Sequence, residues 1–222
     1  MRRSSQVSLL GAMFALFTVL ASAESIQLGS YQTGGPNLGN DNTAVAFLGS
    51  PSTTYALNPG SAWAPAGPNS VWVSNNPGSA PGGSYVAPAG IYSYATSFNT
   101  LAGNTYSGSL WVLADDTSAI FFNGHLLESA GTLGSDAHCA DGPPNCRTPT
   151  LITLPSSFFI TGLNTLQFDL QQTVLSAGLD FYGSAVGSNG PSAVPEPGSL
   201  FLLGTGLIGS AGLLFRRFRI SL

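Results

Sequence analysis

Apolar and polar residues alternate with a period of two through most of the interior of the chain. Leu166, Phe168 and Leu170 alternate with Gln167, Asp169 and Gln171, the pattern of a strand with one buried face. Tyr92, Tyr94, Thr96 and Phe98 line one face of a second strand. Leu110, Val112 and Ala114 oppose Trp111 and Leu113, so a third strand is expected to be buried on both faces. Shorter β runs fall at 43–48, 70–73, 151–154 and 179–182. Between the two ends of the chain no segment keeps helical spacing. Turn residues recur between the runs, as they do in sandwiches. Asn123-Gly124, set between two apolar runs, predicts a type I′ hairpin, because both central residues must accept positive φ. Residues 24–88 are rich in Gly, Pro and Asn and follow no recognisable pattern, so edge strands and long loops are expected there.

Composition agrees with an all-β, loop-rich chain: 28 glycines and 15 prolines punctuate it, and 43% apolar residues suffice for a core. Charge narrows the function. Only 7% of residues are charged, against about a quarter in ordinary globular chains. There is no lysine, and Arg2, Arg3, Arg216, Arg217 and Arg219 lie in the terminal segments. Between residues 24 and 194, Arg147 stands against nine acids, a formal charge of −8. That field repels phosphate backbones and excludes a nucleic-acid partner.

Both ends read as addresses. Arg2 and Arg3, an apolar stretch from Leu9 to Leu20, and small Ala21 and Ala23 around Ser22 form a secretory signal peptide over 1–23. The mature chain is then expected to begin at Glu24. At the other end, 199–215 is uncharged and apolar, the short end of a transmembrane helix. The arginines at 216–219 stay cytoplasmic by the positive-inside rule. Pro195 and Pro197 block helix just before this span, leaving an extended peptide that a protease could grip.

Val194, Pro195, Glu196 and Pro197, followed by the apolar span and the basic end, resemble the PEP-CTERM sorting signal over 191–222. The resemblance implies recognition by an exosortase, a membrane-embedded processing enzyme of cysteine type, and loss of the tail near residues 195–197. It also implies a Gram-negative host that makes extracellular polysaccharide. A second resemblance concerns the cargo at 24–190. Leu110–Asp116 followed by the Asn123-Gly124 hairpin, and Gly162–Leu170 with its GxNxLxF pattern, look like segments of galactose-binding-like jelly rolls. This implies a jelly-roll-like β-sandwich of roughly eight to ten strands.

Few residues in the cargo carry chemistry. Asp115 and Asp116 form the best acidic pair, with Asp115 on the face of Trp111 and Leu113. Carboxylates with nearby carbonyls can hold Ca²⁺; an Asx-turn uses the same residues structurally. Both readings stand, and Ca²⁺ is the one cofactor left open. Cys139 and Cys146 flank a turn-rich segment of an exported chain, where a disulfide is expected. His125 reads as a surface strand residue and His138 as a loop residue, with no G-x-S-x-G elbow for either to serve. Trp63, Trp72, Tyr55, Tyr85 and Tyr92 fall in or near loops. If exposed, such rings could stack on sugars, and Trp63 and Trp72 are the candidate ligand contacts.

The expected protein is therefore non-enzymatic. It crosses the inner membrane, is anchored there transiently, meets signal peptidase and exosortase, and ends at the cell surface or in the extracellular matrix with exopolysaccharide. A carbohydrate-binding module, calcium-assisted or not, is the alternative.

Overall fold

The computed structural model describes residues 23–35, 44–47, 50–133 and 139–189. The signal peptide up to residue 22, Ala21 with it, lies outside the described residues. So do His138, Pro195, Glu196, Pro197, the span at 199–215 and the basic tail. Among the described residues no helix is long and apolar enough to cross a membrane.

Among the described residues twelve strands follow one another: β1 (Glu24–Gly29), β2 (Ala44–Phe47), β3 (Ser50–Ser52), β4 (Tyr55–Leu57), β5 (Trp72–Ser74), β6 (Gly90–Thr100), β7 (Asn104–Asp115), β8 (Thr117–Phe122), β9 (His125–Glu128), β10 (Thr150–Leu154), β11 (Gly162–Gln172) and β12 (Gly178–Asn189). They form two six-stranded sheets. The first runs β10-β7-β12-β5-β4, with β1 also paired to β12. The second runs β3-β2-β6-β11-β8-β9. Neighbours pair antiparallel throughout both, and the two sheets pack as a β-sandwich.

The period-two pattern becomes the core. Leu110, Val112 and Ala114 of β7, Leu179, Phe181 and Ala185 of β12, and Ile26 and Leu28 of β1 point inward from the first sheet. Tyr92, Tyr94 and Phe98 of β6, Ile120 and Phe122 of β8, and Leu166, Phe168 and Leu170 of β11 meet them from the second. Phe168 stacks on Phe181 at 4.6 Å. The Asn123-Gly124 hairpin forms as expected, with φ of 49° and 80° at its two central residues. Asn164, the asparagine of the GxNxLxF pattern, is fully buried. Its amide nitrogen donates to Gly162 O at 2.8 Å and Thr100 Oγ1 at 3.1 Å, and its Oδ1 accepts from Asn123 Nδ2 at 2.9 Å. A buried amide so fully bonded locks the hairpin to the start of β11.

One expectation needs correction. Strand β7 is not buried on both faces along its length. Leu113 is covered, but Trp111 is 39% exposed, because the covering loops shield only the last part of the strand. The edge strands expected in the segment that showed no pattern are present, and β1 is one of them, joined by six register pairs to β12 alone. Only Ile26 and Leu28 marked it, too short a run to separate from loop.

The sandwich has two poles. At one lie the β6–β7 turn, the β8–β9 hairpin, the start of β1 and the end of β12. At the other lie the β7–β8 crossover, the start of β12, the end of β11 and the loop that leads into β5. Strand β12 alone spans about 36 Å between them at the usual rise per residue.

Candidate functional site

The outer face of the first sheet divides into a covered half and an open half. The covered half is built around Asp115, where the chain leaves the first sheet and re-enters as β8 in the second. Asp115 is fully buried, and its Oδ2 accepts from Trp63 Nε1 at 2.7 Å. Trp63 can lie there because its sheet neighbour is Gly178, the register partner of Asp115. A Cβ on Gly178 would stand 2.7 Å from the Trp63 ring. Trp72 stacks on Trp63 at 4.4 Å and donates Nε1 to Ala64 O at 2.9 Å. The Cys139–Cys146 disulfide closes this cluster. Its loop is tied to the crossover by Ala114 N to Asn145 O at 3.1 Å and Thr117 Oγ1 to Pro144 O at 2.6 Å.

Burial raises the Asp115 carboxyl to about 9, and the adjacent Asp116 charge adds to the rise against the lowering effect of the Trp63 bond. Asp115 is therefore a neutral acid at pH 7. Its Oδ1 is buried without a hydrogen-bond partner among the described residues. Asp116 serves a different neighbour: its Oδ2 accepts from Thr173 N at 2.8 Å and Thr173 Oγ1 at 2.7 Å. The two carboxyls thus tie separate segments to the crossover, the work of turn aspartates. No group of three or more His, Cys, Asp or Glu side chains gathers among the described residues as metal ligands would.

Asp180, which carried no motif, anchors the same covering loop. Its Oδ2 accepts from Gly67 N at 2.9 Å, and its Oδ1 lies 2.9 Å from Ser30 Oγ. Ser30 Oγ is also 2.7 Å from Val71 O. Burial raises the Asp180 pKa, against the lowering effect of the hydrogen bonds from Ser70, Gly67 and Ser30.

Trp63 and Trp72, the candidate ligand contacts if exposed, are buried: they are 3% and 0% exposed, and each indole N–H is used internally. Tyr92 is likewise buried in the core, while Tyr55 is exposed. A shallow depression of about 350 Å³ beside Trp63 is bordered by Ser61, Ala62, Ala64 and Arg147. His125 is exposed on β9 and stacks on Phe158 at 4.2 Å.

The open half carries what sequence reasoning did not place outside. Leu151, Trp111 and Tyr182 stand in one row across β10, β7 and β12. Leu151 is 53% exposed beside the 39% exposed Trp111. The next outward row is Thr153, Ser109, Ser184 and Gln27, and beyond it come Ser107, Val186 and Ser25. No charged side chain stands in these rows. Nothing in Leu110–Ala114 itself marks Trp111 as open, since which loops cover a strand is decided elsewhere in the chain.

Residues 193–217 match the family model of the PEP-CTERM protein-sorting motif. No curated protein matches the chain. The motif supports an exosortase-targeted, exported protein whose C-terminal signal anchors it transiently in the membrane. The match is confined to the tail and says nothing of the sandwich.

Proposed function

We propose that this is an exported, non-enzymatic surface or matrix protein, released by exosortase, whose jelly-roll cargo associates with extracellular polysaccharide. Support for the jelly roll comes from strand order. Eight strands, β1-β12-β7-β10 facing β6-β11-β8-β9, pass between the sheets in the sequence of two Greek keys. The small strands β2 to β5 are additions at the edges. The non-enzymatic reading draws on the acids, since Asp115, Asp116 and Asp180 are each engaged by structural donors.

The observation that carries the polysaccharide reading is the pair of exposed side chains Leu151 and Trp111, beside the half-buried Tyr182, on an uncharged face of an otherwise acidic domain. The expected ligand is a neutral or weakly charged glycan, bound without calcium. The test is co-sedimentation of the protein with purified exopolysaccharide, with and without EDTA. Wild-type protein should sediment in both conditions, and Trp111→Ala should stay in solution. Equal sedimentation of Trp111→Ala would remove the site from this face; no sedimentation of the wild type would remove the polysaccharide reading. Loss on EDTA would restore the calcium-assisted alternative.

A further inference from the structure

The pole opposite the Trp63 cluster gathers both ends of the mature domain. Glu24, the first residue of β1, is the register partner of Gly187 on β12. Its carboxylate accepts from the Tyr106 hydroxyl, which itself accepts from Leu101 N at 2.8 Å. The end of β12 is fixed just as firmly, because Asn189 pairs with Asn104. Beside this junction lies a small depression of about 150 Å³, whose lining includes Leu101, Asn104, Tyr106, Phe159 and Ile160. Around it, three large apolar side chains face solvent: Leu101 at 59%, Ile160 at 53% and Leu163 at 56% exposure. Leu101 follows Thr100, and Thr100 pairs with Gly162, so the three side chains lie on adjacent segments of one pole.

We infer that this pole is a lipid-facing surface, with Leu101, Ile160 and Leu163 resting in the interfacial region of the bilayer while the sorting tail is attached. The inference rests on the reading of 193–217 as a membrane-anchored signal. Where the chain leaves the domain selects the occupant. The apolar span begins at residue 199, ten residues beyond Asn189, and ten residues reach at most about 35 Å. The pole from which the tail departs is thus the part of the domain held nearest the membrane. A signal peptide still attached at Ala23 would tie the same pole to the same surface. Charge selects the kind of lipid contact. With a formal charge of −8 between residues 24 and 194, the domain is repelled by anionic headgroups, so burial of apolar side chains supplies the attraction. The opposite pole, with the disulfide and the Trp63 cluster, then points away from the cell.

The test uses the full-length chain reconstituted in phosphatidylcholine vesicles with plain or brominated acyl chains. Bromine quenches tryptophan only at close range. Leu101→Trp and Ile160→Trp should each lose most of their added emission in the brominated vesicles. Val86→Trp at the far pole and Ser107→Trp on the outer face of β7, both exposed positions, should lose none. Flotation of the same samples reports anchoring separately. A chain that does not float with the vesicles removes both the anchoring and the inference. A chain that floats but shows no quenching at Leu101→Trp, or equal quenching at Val86→Trp, removes the inference alone.

Discussion

Trp63 donates its indole N–H to the buried carboxyl of Asp115 at 2.7 Å, joining residues 52 apart in sequence. The bond closes a loop over the first sheet and gives a buried acid a side-chain donor. Trp63→Phe keeps the ring and removes the donor from Asp115 Oδ2. The expected cost is about 2 kcal/mol, the usual penalty for orphaning a buried polar group. Urea unfolding should show it as a lower midpoint with an unchanged slope.

The same carboxyl makes stability depend on pH. The Asp115 pKa is raised from the ordinary carboxylate range to about 9 in the folded protein, so the folded state holds a proton that the unfolded chain releases. Its contribution is present in full below about pH 4 and is lost as pH rises toward 9. Asp180 is shifted in the same direction. Thermal midpoints should therefore fall between pH 5 and 9. Asp115→Asn, which can still accept from Trp63 but cannot ionise, should flatten the decline and melt higher than wild type at pH 8. A steeper decline in that variant would contradict the assignment.

The Cys139–Cys146 bridge closes a loop of seven residues in sequence separation. By loop-closure entropy it should stabilise the domain by about 2 kcal/mol. Melting with and without reductant measures this, and Cys139→Ser with Cys146→Ser should match the reduced wild type.

Gly178 admits Trp63 by having no side chain. Gly178→Ala places a methyl 2.7 Å from the ring, with Trp72 stacked behind it to block retreat. Overpacking of this kind costs about 1–3 kcal/mol. A rise in Trp fluorescence heterogeneity should accompany the lower midpoint.

Processing is independent of all of these. Replacing Pro195, Glu196 and Pro197 with alanine should leave a membrane-held precursor of full tail length, seen as slower gel migration of the cell-associated protein. Normal release of that variant would show that the motif is not what is cut.

Local pattern was enough wherever a strand is long and faces one way. Tyr92 to Phe98, Leu110 to Ala114 and Leu166 to Leu170 became core strands because alternation at period two is itself the geometry of a pleated face. The hairpin at Asn123-Gly124 followed from the φ that those two residues tolerate. Asp115 does share the face of Leu113, and Cys139 does pair with Cys146. The tail announced itself through linear order alone, since a sorting peptide is read as an extended string.

What tertiary structure decided is coverage. Trp63 and Trp72 sit near loops in sequence, yet the loops fold back on the sheet and bury them, whereas Trp111 in mid-strand is left open. Burial depends on which segments cross over a residue, and those segments come from 40 or more positions away, as the Ser30 to Val71 contact illustrates. The same holds for Asp180, ordinary in sequence and the anchor of a covering loop in space. It holds too for β1, whose two alternating apolar residues mean little until β12 offers them a partner. The sequence alone determined the strands and the address. Only packing between distant segments decided which face is left open to solvent and which pole gathers the two ends of the sandwich.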